Sequence, residues 1–208
     1  METKYDKIFP TLIMRVENIL PKKDIESINE DIRNLTKLRE GFELRNINVP
    51  TQSDPFQHKN PVYEPLCEKV IELCKKYLTD SSYLYEELEI TNMWSNIIRS
   101  GQYHPPHTHS NNILSGVYYP QSDNTTKIYF SDPRLQARVL TPKIKHNTDN
   151  NSGLMQYHSQ TNYMIIFPSW LQHYVESSNS EQPRHSVAWN VMMRGLVGDP
   201  YQLQSATF

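Results

Sequence analysis

The chain is sparing in the residues that would place it in a class directly. It has only two cysteines among 208 residues, Cys67 and Cys74. Seven residues apart in a helical pattern, they share one helix face and lie too far along it for an easy bridge. They read as reduced core residues, and no disulfide framework is expected. No basic run exceeds a pair, and 21 basic against 23 acidic residues leave a formal net charge of -2. That balance argues against a nucleic-acid partner. No stretch approaches the roughly 20 apolar residues of a membrane span, and the opening METKYDKIFP carries neither the basic nor the apolar region of a secretory signal. No membrane partner and a cytoplasmic location are therefore expected. Internal repeats are absent, and the six glycines and 14 prolines are scattered rather than gathered into a linker. Residues 1–208 are accordingly expected to form one domain, large enough to bury a core without staples. Mean hydropathy is low at -0.67, yet 11% aromatic residues supply core-forming area.

The segments that remain divide into two parts. In residues 1–87, the run IFPTLIMR at 8–15 reads as an opening strand. Ile25, Ile28, Ile32 and Leu35 then recur at helical steps behind Asp24, the expected N-cap. A proline-rich polar segment at 50–61 is expected to be a loop, and Tyr63, Leu66, Val70, Leu73, Cys74 and Leu78 mark a second helix. From Leu88 to residue 196 the pattern turns to short β-rich runs separated by polar turns: EITNMWSNII, NILSGVYYP, TKIYFSD, ARVLTP, NYMIIFPSW, QHYVES and HSVAWNVMM. Such spacing predicts an antiparallel sandwich or barrel. Residues 142–160, rich in Lys, Asn and Ser, read as an insertion.

The histidines carry the chemistry. Four of the eight, His104, His107, His109 and His173, fall in two runs of the β-rich part, and Arg184 follows 11 residues after His173. In a strand, residues two apart share a face, so His107 and His109 can offer two imidazoles to one cation. His173, from a distant strand, would complete a set of three and leave positions open for a small molecule and oxygen. An alternative set drawing on His104 or Asp132 stays open, although His104 falls on the opposite strand parity and two prolines part it from His107.

Together, Trp94-Ser95-Asn96, the run HTHSNNILSGVYYP, the run YFSDPR, FPSWLQH ending at His173, and PRHSVAWN resemble the uncharacterised 2-oxoglutarate/Fe(II) oxygenase family of bacteria and marine phages. More distantly they are similar to prolyl hydroxylases. The resemblance covers residues 94–190, with its motifs in the family's order. It implies a mainly β fold, a double-stranded β-helix or cupin-like jelly roll with N-terminal flanking α-helices. It also implies Fe(II) held by His107, His109 and His173. His109 stands where most of the superfamily has a carboxylate, which raises the site's charge by one and favours an anionic co-ligand. The co-substrate implied is 2-oxoglutarate, its distal carboxylate met by Arg184, with Ser186 and Tyr119 as further donors. The reaction implied is O2-dependent hydroxylation with release of succinate and CO2, with ascorbate as reductant. The substrate would be a small molecule, a peptide or a protein side chain, and the location the host cytoplasm if the gene is carried by a phage.

Other polar and aromatic residues are weighed against this set. Asn96 and Asn190 sit on core-like strands and are candidate contacts for oxoacid or substrate. Trp94, Trp170 and Trp189 read as core filler, while His58, His146, His158 and His185 read as bystanders. The Asp132-Pro133-Arg134 step reads as a strand-ending turn. Two competing functions stand beside the oxygenase: a three-histidine cupin-like dioxygenase without 2-oxoglutarate, and a jelly-roll binding module without turnover.

Overall fold

The computed structural model describes residues 1–38, 50–134, 139–140 and 142–208. Strand β1 (Met14–Glu17) opens the chain and helix α1 (Lys22–Leu38) follows it. The predicted strand at 8–15 thus forms later than its composition suggests. Upstream of Met14 its ladder would run into Pro10 and, on the facing strand, Pro168, neither of which has an N–H to give. The Leu12 carbonyl is instead taken by the Tyr77 hydroxyl at 2.9 Å.

Helix α1 also begins earlier than predicted. Pro21 presets the entry, its carbonyl accepts from the amides of Asp24 (3.1 Å) and Ile25 (3.2 Å), and Asp24 lies within the first turn rather than at the cap. There its charge complements the helix N-terminus. Ile28 and Ile32 are fully buried, and the side chain of Leu35 lies outside the described residues. The proline-rich segment contains a short strand, β2 (Thr51–Gln52), and two 3-10 turns at Gln57–Lys59 and Pro61–Tyr63. Helix α2 (Glu64–Asp80) buries Leu66, Val70, Cys74 and Leu78 along one stripe, and both cysteines are free thiols.

The β-rich part holds β3 (Glu87–Ile98), β4 (His104–His107), β5 (Leu114–Gln121), β6 (Lys127–Ser131), β7 (Leu154–His158), β8 (Tyr163–Pro168), β9 (His173–Val175) and β10 (Arg184–Arg194). A C-terminal hairpin, β11 (Leu196–Asp199) with β12 (Gln204–Thr207), was not predicted. Strand β7 falls inside the predicted insertion, where it pairs with β6 from Lys127↔His158 to Ser131↔Leu154. Of the predicted ARVLTP strand, Ala137, Arg138 and Thr141 lie outside the described residues, and Val139 and Leu140 are exposed and not in a strand.

The strands form a six-stranded sheet of order β1-β8-β5-β10-β3-β2 and a four-stranded sheet of order β4-β9-β6-β7. The pairings within both are antiparallel. This is the double-stranded β-helix, mainly β with flanking N-terminal helices. Period-2 alternation sorts the larger sheet's residues onto two cores. One face, with Met93, Tyr118, Val187, Trp189 and Val191, packs under α1 and α2. The other face, with Ile98, Tyr119, Ile165 and Phe167, meets Ile128, Phe130 and Val175 of the smaller sheet.

Trp189 is wholly buried on the helix side, and its ring lies over Gly116 of β5, where a Cβ would come within 2.2 Å of Trp189 Cζ2. Ring and neighbouring strand therefore fit only because residue 116 lacks a side chain. Gly116→Ala should overpack this layer and cost about 1–3 kcal/mol. Urea unfolding followed by tryptophan fluorescence should show a lower midpoint with an unchanged slope; an unchanged midpoint would refute the close fit.

Candidate metal centre

Strand pairing brings the predicted imidazoles together. His107 ends β4 directly opposite His173, which begins β9, and His173 in turn lies opposite Phe130 on β6. His109 lies past the end of β4, so strand alternation is not what aims it. Its amide donates to the Ser169 carbonyl at 2.9 Å, and its Nδ1 meets the Asn190 side-chain oxygen at 2.6 Å. The candidate ligand atoms of His107, His109 and His173 all lie within 4.8 Å of one another, and the Nε2 atoms of His109 and His173 are 3.3 Å apart. Two nitrogens bound to one ion at about 2.1 Å and at right angles would be about 3 Å apart, so the spacing suits a shared cation.

Each ring is held by its other nitrogen. His107 Nδ1 meets the Pro105 carbonyl at 2.8 Å, His173 Nδ1 meets the Leu171 carbonyl at 2.9 Å, and His109 Nδ1 meets Asn190 Oδ1. Carbonyl oxygens only accept, so each Nδ1 carries the proton and each Nε2 keeps its lone pair. Ser115 Oγ donates to the same Asn190 oxygen at 2.8 Å and pairs with Ser169 Oγ at 2.8 Å. Three bare Nε2 atoms facing one another are a donor set for a borderline cation such as Fe(II) or Zn(II), with no carboxylate in the group.

Aromatic rings enclose the cluster. The Phe167 and His173 ring centroids are 4.6 Å apart and those of Phe130 and His173 5.8 Å apart. Trp94 stacks on His109 at 5.7 Å and 24°, so it is not the core filler expected from sequence. Trp170 is not core either, being 54% exposed, whereas Trp189 is. Burial, then the neighbouring imidazole of His107, lowers the His173 pKa to about 3. Burial also lowers that of His109, against the opposing pull of its Asn190 bond.

Elsewhere in the sandwich lies a buried cation that forms no ion pair among the described residues. Arg184, 3% exposed, begins β10 and shares its face with Ser186 and Asn190 by alternation. Among the described residues its Nε and Nη1 have no hydrogen-bond partner, and neither does the hydroxyl of the wholly buried Tyr119. The guanidinium carbon lies 5.3 Å from the Tyr119 ring centroid. Burial lowers the Arg184 pKa, while the Tyr119 and Asp123 charges act to raise it. Burial pushes the Tyr119 phenol up to about 12, partly offset by Arg184.

The remaining candidates fall around this frame. Ser186 is buried opposite Asn96, and Asn96 Oδ1 accepts from Gln52 Nε2 at 2.9 Å. Asn190 is occupied with His109 and Ser115, so its amide oxygen is aimed at an imidazole rather than at the Arg184 end of the sandwich. Asp132 lies outside the three-histidine group and forms a two-point ion pair with Arg134 at 3.0 and 2.9 Å. A cleft of about 920 Å³ runs between the N-terminal segment 5–13, the end of β6 and the start of β7. It touches Phe130 and Leu171 but none of the three histidines. Those two side chains part it from the imidazoles, so the chemistry of the cluster is not read from the cleft.

A family model described as "Putative 2OG-Fe(II) oxygenase" matches residues 92–190, the stretch that holds all three histidines, Tyr119 and Arg184. Over these residues, just under half of the chain, the protein is similar to that family. No curated protein matches the chain by sequence. Among solved structures, the chain is similar in fold to the α-ketoglutarate-dependent epimerase SnoN from nogalamycin biosynthesis. The TM-score is 0.67 at 10% identity, over 89% of this chain and 80% of that one. HygX from Streptomyces hygroscopicus, solved with nickel and 2-oxoglutarate, superposes with a TM-score of 0.62 at 11% identity over 88% and 83%. A Pseudomonas putida prolyl-4-hydroxylase does so at 0.60 and 12% over 89% and 94%. Among the described residues no helix is long and apolar enough to cross a membrane.

The depressed imidazoles link the stability of the metal-free protein to pH. A folded pKa of about 3 for His173, against an ordinary 6.5, means the unfolded chain binds the proton first as pH falls. The stabilisation is complete above about 6.5 and is lost as pH falls toward about 3. His104 and His185, each lowered to about 4 chiefly by burial, act in the same direction. The melting temperature of the metal-free protein should fall steadily from pH 7 to pH 4, and His173→Leu should flatten that slope. Equal slopes for the two proteins would refute the burial of a neutral imidazole.

Proposed function

We propose that the protein is an Fe(II)- and 2-oxoglutarate-dependent hydroxylase in which His107, His109 and His173 hold the metal and Arg184 takes the distal carboxylate of the oxoacid. The chemistry that bound iron and oxoacid supply is the coupled oxidation by O2 of 2-oxoglutarate, to succinate and CO2, and of a substrate C–H bond, to an alcohol, with ascorbate maintaining Fe(II). The substrate class remains a small molecule, a peptide or a protein side chain, acted on in the cytoplasm.

The observation that carries this reading is the unpartnered guanidinium of Arg184. An isolated buried cation costs several kcal/mol, and its nitrogens ask for an anion with paired acceptors. The Tyr119 hydroxyl offers another donor beside it, and Ser186 lies next along the same face. Three neutral imidazoles add no negative charge, so a divalent ion and a dianionic oxoacid would together be neutral and the Arg184 charge would be left over. That favours an anionic co-ligand more strongly than a carboxylate-containing set would. A dioxygenase that used its three histidines without an oxoacid would leave Arg184 without a role.

The protein's own groups then divide the work. Pro105, Leu171 and Asn190 fix the three imidazole tautomers and so present Nε2 to the ion. Phe130, Phe167 and Trp94 keep water from the rings. Arg184 would hold the distal carboxylate and so fix the depth of the oxoacid.

Two measurements test the assignment. With Fe(II), ascorbate, O2 and 2-oxoglutarate the wild type should release succinate. Arg184→Leu should lower kcat/KM for 2-oxoglutarate by about a hundredfold or more while Fe(II) affinity changes little. Absence of succinate from the wild type would end the oxoacid reading. Separately, Asn190→Ala should weaken metal binding about ten- to a hundredfold by releasing the His109 ring. Unchanged affinity in chelator competition would remove Asn190 from the metal's support.

A further inference from the structure

We infer that His104 is a further binding residue for the distal carboxylate of the oxoacid, closing with Arg184 and Tyr119 an anion pocket at the deep end of the sandwich. The inference rests on the oxoacid reading above and adds a residue to it.

By plain alternation His104 would turn away from the interior, being three residues from His107. The pairing with β9 changes this: His104 lies opposite Val175 and His107 opposite His173, with a shift of register between them. Three steps along β4 are therefore matched to two along β9. Pro105 and Pro106 occupy the shifted stretch, and having no N–H they cannot keep the ladder in step. Directly opposed residues of an antiparallel pair project to the same face. Val175 is buried in the core between the sheets, so the His104 imidazole projects inward as well.

Its depth follows from the chain path. Strand β3 ends at Ile98, directly opposite Arg184, and after a short turn β4 begins at His104. The starts of β4 and β10 thus lie at the same end of the sandwich, away from the end where His107 and His173 meet. Burial, and after it the charge of Arg184 ahead of those of His107 and His109, lowers the His104 pKa to about 4. The ring centroid is 6.2 Å from that of His107, and His104 is not in the three-histidine group.

The hydrogen-bond inventory points the same way. Among the described residues Arg184 Nε and Nη1 and the Tyr119 hydroxyl have no partner, and the half-buried side chain of His104 makes no hydrogen bond. A neutral imidazole retains one N–H donor. A carboxylate accepts at about four lone-pair sites, which two guanidinium N–H groups, one phenol and one imidazole would fill.

The test is a calorimetric titration of the Zn(II)-loaded full chain with 2-oxoglutarate and, separately, with pyruvate, which lacks the distal carboxylate. His104→Leu should weaken 2-oxoglutarate binding about tenfold and leave pyruvate and Zn(II) binding unchanged, while His104→Gln, which keeps a donor, should recover most of the loss. Equal weakening of both ligands, or no weakening of 2-oxoglutarate, overturns the inference. In the wild-type Zn(II) protein the His104 ring N–H resonance should shift with 2-oxoglutarate and not with pyruvate; no selective shift overturns it independently of how the variants fold. If the wild type does not prefer 2-oxoglutarate over pyruvate, the oxoacid reading itself fails; if it does and His104→Leu is silent, only the role of His104 fails.

Discussion

The architecture hangs on one strand, β10, which is paired along both edges and alternates between two unlike environments. Its even-numbered residues Arg184, Ser186 and Asn190 face the space between the sheets, whereas Val187, Trp189 and Val191 pack under the helices. His185 joins the helix side, its Nδ1 bonded to Asn29 of α1 at 2.8 Å. A slip of one residue would exchange the two sets, burying Trp189 among the imidazoles and Arg184 under an apolar helix. Packing on the helix side therefore fixes the register of the polar groups. The Gly116 and Trp189 contact is the tightest part of that lock.

Polar groups in the interior divide into satisfied and unsatisfied sets, and the division has a pattern. Around the three histidines every Nδ1 is spoken for and every Nε2 is bare, which stiffens the rings while leaving lone pairs to share. Around Arg184 and Tyr119 the donors are bare instead. Imidazole lone pairs that converge at one end, and buried donors with no partner among the described residues at the other, would suit a metal ion chelated by an acid. Neither set is comfortable alone, since each buried unpaired group costs free energy. The proposed function is the arrangement in which both costs are offset at once.

Much of this was legible in advance, and the failures have identifiable causes. The runs SGVYY and HSVAWN form strands as their composition predicts, because β-favouring residues and a period of two are written directly in side-chain chemistry. Strand β1 and the start of α1 were misplaced because prolines 10, 21 and 168 shift where a ladder or a helix can begin. The segment 142–160 hid β7, because a strand on the smaller sheet with one exposed face carries little apolar signal. Trp94 was read as filler, since nothing local distinguishes a tryptophan that stacks on a histidine from one in a core. That Asn190 holds the His109 ring follows only from the pairing of distant segments.

What the sequence by itself determined is the inventory and its spacing: a mainly β chain behind two helices, histidines at 107, 109 and 173, and a basic residue 11 positions beyond the last. These follow from local periodicity and residue type, which act over a few positions. What only the tertiary structure decided is which nitrogen of each imidazole faces the other rings, that a slipped register sets His104 opposite the buried Val175, and that Arg184 forms no ion pair among the described residues. Those properties belong to groups as far apart as residues 109 and 190, and hydrogen-bond geometry between distant strands has no counterpart in the order of the residues.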